Sequence, residues 1–171
     1  NKIQSFTIDG SGSNNTFIEA AGADVLFFRR FKDVTISNLC IQNGKYGFYP
    51  RNCKRATARN VRFHKLGSNG VVAEHDQSGS QAEQAAVWAS GTTSDGGACR
   101  IREVEVVTVQ DCEVDYCLRG LRIQQCGSGG NSIVSGCKIF RTLESSIYLA
   151  SSDYTGNFGC DFFTISGNTV L

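Results

Sequence analysis

The sequence predicts an all-β solenoid from three observations: a ten-residue pattern that returns along the chain, alternation of apolar and polar side chains within each copy, and a turn residue at its centre. The first full copy is VTISNLCIQN, Val34 to Asn43. Others are ATARNVRFHK from Ala56, VTVQDCEVDY from Val107, SIVSGCKIFR from Ser132 and FTISGNTVL from Phe163, with a looser FTIDGS from Phe6. Their turn residues are Asn38, Asn60, Asp111, Gly136, Gly167 and Gly10.

Successive side chains on a strand point to opposite faces. Val34, Ile36, Leu39 and Ile41 therefore share one side, and the later copies extend them into an apolar column through Ala56, Val61, Phe63, Val107, Cys112, Val134 and Ile139. Thr35, Thr57, Thr108 and Thr164 fall on the other, polar face. Positions equivalent to Thr35 are spaced 28, 22, 51, 25 and 31 residues apart. Units of roughly 20 to 50 residues, each unable to bury its face alone, are the mark of a stacked array.

A third alternating run completes each unit: GFYPRN from Gly47, GVVAEH from Gly70, GLRIQQ from Gly120 and SIYLAS from Ser146. Three short strands per turn describe a parallel β-helix with coils of about 22–31 residues, and the pattern resembles the single-chain right-handed form of that fold. The Leu and Asn framework of leucine-rich repeats is absent, as is the recurrent Trp-Asp pair of propeller blades. The pattern resembles the pectate-lyase-like superfamily, which includes polysaccharide lyases, hydrolases, epimerases and phage tailspikes, and it is most similar to a tailspike or polysaccharide-depolymerase segment. That resemblance implies an outer face that handles polysaccharide, a possible homotrimer, and a place on a virion surface or outside the cell.

The 171 residues suit one domain, 1–171, with a sizeable core. Neither end carries a polar cap, so the stretch reads as a segment of a longer chain. The wide gap between Thr57 and Thr108 predicts a loop inserted over 75–100, carrying Trp88. Pro50, the single proline, is expected to bend or end its strand. A net charge of +1 gives no electrostatic case for nucleic acid. No apolar run reaches membrane-spanning length. Eight cysteines without CxxC spacing read as buried core thiols, with stacked ones open to pairing by oxidation. No zinc site and no cofactor is read from the spacing. Asn14 to Thr16 forms a glycosylation sequon.

Two outward surfaces are candidates for chemistry. On the third strands, Tyr49, Val72, Arg122 and Tyr148 would form one column and Arg51, Glu74, Gln124 and Ala150 the next, with Arg51 beside Glu74 and His75 and Asp76 at the edge. Aromatic rings cover the apolar faces of sugars, and charged groups hold hydroxyls or uronate carboxylates. Tyr49, Arg51, His75, Trp88, Arg122 and Tyr148 are thus the expected polysaccharide-binding residues. Glu74 is the expected general acid or base, with Asp76 or Asp115 as partner, since glycoside hydrolysis needs two carboxyl groups about 5–9.5 Å apart. On the second strands, Arg62, Glu113 and Lys138 form a charge ladder with His64 near Asp115, read first as surface ion pairs. YGFYPRN from Tyr46 resembles the YGFDPHE segment of alginate C5-epimerases at Tyr46, Gly47, Phe48 and Pro50, but Tyr49, Arg51 and Asn52 replace its acid and base. The paired-aspartate motif of polygalacturonases is absent. Three function classes follow: a tailspike-like polysaccharide-binding depolymerase, a uronate lyase or epimerase, and a non-catalytic stalk or adhesin segment.

Overall fold

Strands with apolar residues at every second position can bury that face only by stacking, and the chain stacks them in parallel. The computed structural model describes residues 4–20, 23–67, 96–142, 145–150, 160 and 163–171. One sheet has ten strands. It contains β1 (Phe6–Asp9), β2 (Phe17–Glu19), β4 (Asp33–Gln42), β6 (Arg55–His64), β8 (Val106–Gln110), β9 (Glu113–Asp115), β11 (Ser132–Ser135), β12 (Lys138–Phe140), β14 (Phe163–Ser166) and β15 (Thr169–Val170). The second sheet runs β3 (Leu26–Arg29), β5 (Tyr46–Arg51), β7 (Gly97–Arg102), β10 (Leu121–Gln124) and β13 (Ile147–Ala150). Among the described residues there is no helix, so none that is long and apolar enough to cross a membrane.

Three columns of left-handed residues turn each coil. The first holds Asn38, Asn60, Asp111, Gly136 and Gly167, the second Asn43, Lys65, Tyr116 and Arg141, and the third Arg30, Asn52, Glu103 and Gln125. All lie at φ between 50° and 66°. A residue with a Cβ costs about 1–2 kcal/mol in that conformation, and at the first corner side-chain bonds offset it. Asn60 Nδ2 donates to Asn38 Oδ1 at 2.8 Å, and Asn38 Nδ2 to Asp9 Oδ1 at 2.8 Å. Gly10 is not left-handed; a Cβ there would strike the Asn38 carbonyl oxygen, so close approach explains this glycine.

The residue after most corners turns inward. Leu39, Val61, Leu66, Val104, Cys53, Cys112, Cys117, Cys126 and Cys137 are all buried. At the five cysteine positions the thiol donates to the carbonyl two residues back, at 3.0 Å for Cys126 to Gln124 and 3.2 Å for Cys112 to Gln110. A cysteine thus fills the corner as a small hydrophobe while its S–H satisfies a carbonyl that the turn leaves over. All eight cysteines are free thiols, and burial pushes Cys117 and Cys126 up to about 12. The apolar column read from the repeat is the core, with Val34, Ile36, Ile41, Phe63, Val109 and Ile139 fully buried.

Two expectations are corrected. β5 runs through Pro50 to Arg51, with Phe28 opposite Pro50, and the ladder resumes where Asn52 N donates to Arg102 O at 3.0 Å. One missing donor is tolerated because the flanking rungs keep their pairing. The loop expected over 75–100 extends too far, because Gly97–Arg102 is strand β7, paired with both β5 and β10. GVVAEH, expected as the third strand of that coil, lies outside the described residues, and β7 holds the place beside β5.

Candidate functional site

The outer face of the five-stranded sheet gathers arginines and aromatic rings in two columns. Phe27 pairs with Tyr49, and Arg122 pairs with both Arg100 and Tyr148. The register of Phe48 with Cys99 sets Tyr49 opposite Arg100 and completes the first column. The second runs Arg29, Arg51, Arg102, Gln124 and Ala150. Alternation puts these side chains outside because Phe48, Cys99, Ile101, Leu121 and Ile123 point into the core.

Rings and guanidinium groups pack against one another along the first column. The Phe27 and Tyr49 centroids are 5.0 Å apart, and Tyr46 lies 5.6 Å from Tyr49. The Arg100 guanidinium carbon sits 5.2 Å from the Tyr49 centroid and 5.4 Å from that of Tyr46. Arg122 lies 5.7 Å from the Tyr148 centroid. These contacts hold the cations in place; Tyr46 and Tyr49 are buried beneath them, and the exposed rings are Phe27 and Tyr148, at 50% and 42%. Glu103 balances part of the charge, 3.6 Å from Arg51 and 3.2 Å from Arg102. With five arginines on the strands and Arg30 at their corner against that one carboxylate, the face is cationic among the described residues.

Of the expected binding residues, Tyr49, Arg51, Arg122 and Tyr148 come together here. Glu74, His75, Asp76 and Trp88 lie outside the described residues. The neighbour of Arg51 in the ladder is Arg102, in the place expected for Glu74. The expected loop over 75–100 hides Arg100, and no strand is read from the residues after it that hold Arg102, yet Arg100-Ile101 repeats as Arg122-Ile123 twenty-two residues on, a signal present in the sequence.

Asp115 lies on the ten-stranded sheet, not on this face. Its side chain is 5% exposed, 3.4 Å from Arg62 and 3.9 Å from Arg141. His64 Nδ1 stands 3.3 Å from Asp115 Oδ2 without hydrogen-bond alignment. Arg141 covers the Tyr116 ring at 4.5 Å and bonds its hydroxyl. The charge ladder expected on this arm is present, with Arg62 Nε 3.1 Å from Glu113 and Lys138 in register with Glu113.

A sealed stack of parallel coils with a cationic, ring-lined outer sheet defines the class: a parallel β-helix. Residues 4–171 match the model of the right handed beta helix region, and the chain belongs to that family. No curated protein and no solved structure matches it.

Proposed function

We propose that the chain binds an acidic polysaccharide along the outer face of the five-stranded sheet. The observation that carries this reading is the column Phe27, Tyr49, Arg100, Arg122, Tyr148, flanked by Arg29, Arg51 and Arg102. Its exposed rings, Phe27 and Tyr148, offer flat apolar surface to pyranose faces, and its guanidinium forks suit carboxylate or sulfate groups. Coils repeat at about 4.8 Å, so five rungs give a polymer several successive contacts. Right-handed β-helices are common in proteins that act on polysaccharides, which agrees with this reading.

Depolymerisation of glycosidase type would draw on Glu74 with Asp76; Asp115 would serve only a substrate that also reaches the other sheet. A tailspike-like trimer on a virion surface or outside the cell is the setting we attach to this activity. Elimination or epimerisation of a uronate is the second reading. One observation favours it: His64, Asp115, Arg62 and Arg141 meet around one buried carboxylate, a base beside groups that neutralise a uronate.

A panel of acidic and neutral polysaccharides tests these readings, with binding, new reducing ends and unsaturated uronate followed in the same samples. Binding restricted to acidic polymers is expected. Reducing ends without unsaturation mark a hydrolase, and unsaturation marks a lyase. Equal binding to neutral polymers, or none to any, overturns the acidic-polysaccharide reading.

A further inference from the structure

The left-handed corners place cysteines in columns, and in two places they occupy successive rungs. The first column reads Leu39, Val61, Cys112 and Cys137 going up the stack, and the third reads Cys53, Val104 and Cys126. Cys160 continues the third column by its bonds: it donates to Ala150 O and Ile123 O, the carbonyl positions one rung above those Cys126 uses. Cys117 has no cysteine in the equivalent places at Leu66 and Thr142, and Val104 separates Cys53 from Cys126.

Cys112 and Cys137 have their register fixed on both sides. Gln110 pairs with Ser135 before them and Glu113 with Lys138 after them, and Lys138 N donates to Cys112 O at 2.9 Å. Strand spacing of about 4.8 Å lies within the Cα separation that a disulfide spans, about 4.4–6.8 Å. Both thiols face inward at the corner, and each sulfur also lies within reach of a carbonyl of the coil below, Ala58 O at 3.6 Å for Cys112 and Val109 O at 3.7 Å for Cys137. We propose that Cys112 and Cys137 are an oxidative modification site, closing to a disulfide between consecutive coils under a two-electron oxidant such as hydrogen peroxide.

Neighbouring rungs set the two thiols side by side. A hydrogen bond between the two side chains draws Cys137 below the usual thiol range and drives Cys112 above it, which favours the thiolate on Cys137. Cys112 and the two neighbours of Cys137, Gly136 and Lys138, border a cleft of about 320 Å³, which brings solvent and peroxide to the corner that holds both thiols. The Cys137 thiolate attacks one peroxide oxygen, the O–O bond breaks, and hydroxide leaves a sulfenic acid on Cys137. The Cys112 sulfur then attacks the Cys137 sulfur, the S–O bond breaks, and the departing hydroxide takes the Cys112 proton as water. Two thiols lose two electrons and one peroxide is reduced to water.

The test treats the reduced, folded chain with hydrogen peroxide, alkylates the remaining thiols after denaturation and maps the peptides by mass. The expected result is a Cys112–Cys137 cross-linked peptide, with a thermal midpoint about 5–10 °C higher that dithiothreitol reverses. Cys137→Ala should abolish both the peptide and the shift. Full alkylation of Cys112 and Cys137 after oxidation overturns the proposal, as does a disulfide found only at Cys126 and Cys160. A midpoint rise that persists in Cys137→Ala counts against it equally. If that variant fails to fold, the wild-type peptide map alone decides.

Discussion

Arg100 and Tyr49 face each other across adjacent rungs, the guanidinium 5.2 Å from the ring centroid, and this contact holds a cation at the middle of the aromatic column. Arg122 repeats the arrangement against Tyr148, one rung above its own strand. A charge-assisted hydrogen bond contributes about 1.5–3 kcal/mol. Arg100→Ala and Arg122→Ala should therefore each weaken binding of an acidic polysaccharide tenfold or more. Titration calorimetry at low and high salt checks this, because an exposed cationic face also loses affinity as ionic strength rises. Unchanged affinity in both variants would remove the column from the binding site.

Tyr148 separates recognition from stability. Its side chain is 42% exposed, so Tyr148→Ala should cost affinity while the melting temperature stays within a degree or two. A large fall in melting temperature would instead make the ring a structural element.

Asp33 ties the first coils together in a pH-dependent way. Hydrogen bonds from Arg55 Nε at 2.5 Å and from Ser5 Oγ at 2.7 Å draw its carboxyl from 3.8 down to about 2. A depressed carboxylate stabilises the fold fully above its unfolded value and loses that contribution as pH falls towards 2. Thermal melts should show Asp33→Asn less stable than the parent at pH 7, with the gap closing between about pH 4 and pH 2. A gap that is constant across that range would mean that the ion pair contributes nothing.

Gly120 opens its strand where the backbone of the next coil passes. A Cβ there would collide with the Ser146 carbonyl oxygen, which is fixed by the Leu121 N bond at 2.8 Å. Gly120→Ala should therefore destabilise the fold by about 1–3 kcal/mol in denaturant unfolding. A neutral result would mean that the coils can move apart at little cost.

The sequence made the ten-stranded sheet legible because two signals coincide there: period-two alternation, and corner residues of types that accept left-handed backbone at Asn38, Asn60, Asp111, Gly136 and Gly167. The other two corners were not legible. Lys65, Tyr116, Arg141, Glu103 and Gln125 carry no left-handed preference, and the stack imposes it on them through inter-coil bonds such as Glu103 N to Gln124 O. The candidate face was half legible for a related reason. Tyr49, Arg51, Arg122 and Tyr148 follow from alternation alone, whereas Arg100 and Arg102 depend on knowing where the coil resumes after residues 68–95. Asp115 was recognised as a partner of His64, and its burial beneath Arg62 and Arg141 required neighbours from three rungs.

The seam at Gly67 and Gly97 bears on how such a coil can change length. Gly67 N bonds to Gly44 O and Gly97 N bonds to Lys45 O, successive residues of the coil beneath. The described part of this coil is therefore continuous across Gly67 and Gly97 in its bonds to the coil beneath. Joining Gly67 directly to Gly97 would restore the twenty-two-residue spacing seen from Asn38 to Asn60. Segments of different length and chemistry can be exchanged there beside a ready-made cationic face, so the scaffold and whatever it carries at this seam are free to diverge at separate rates.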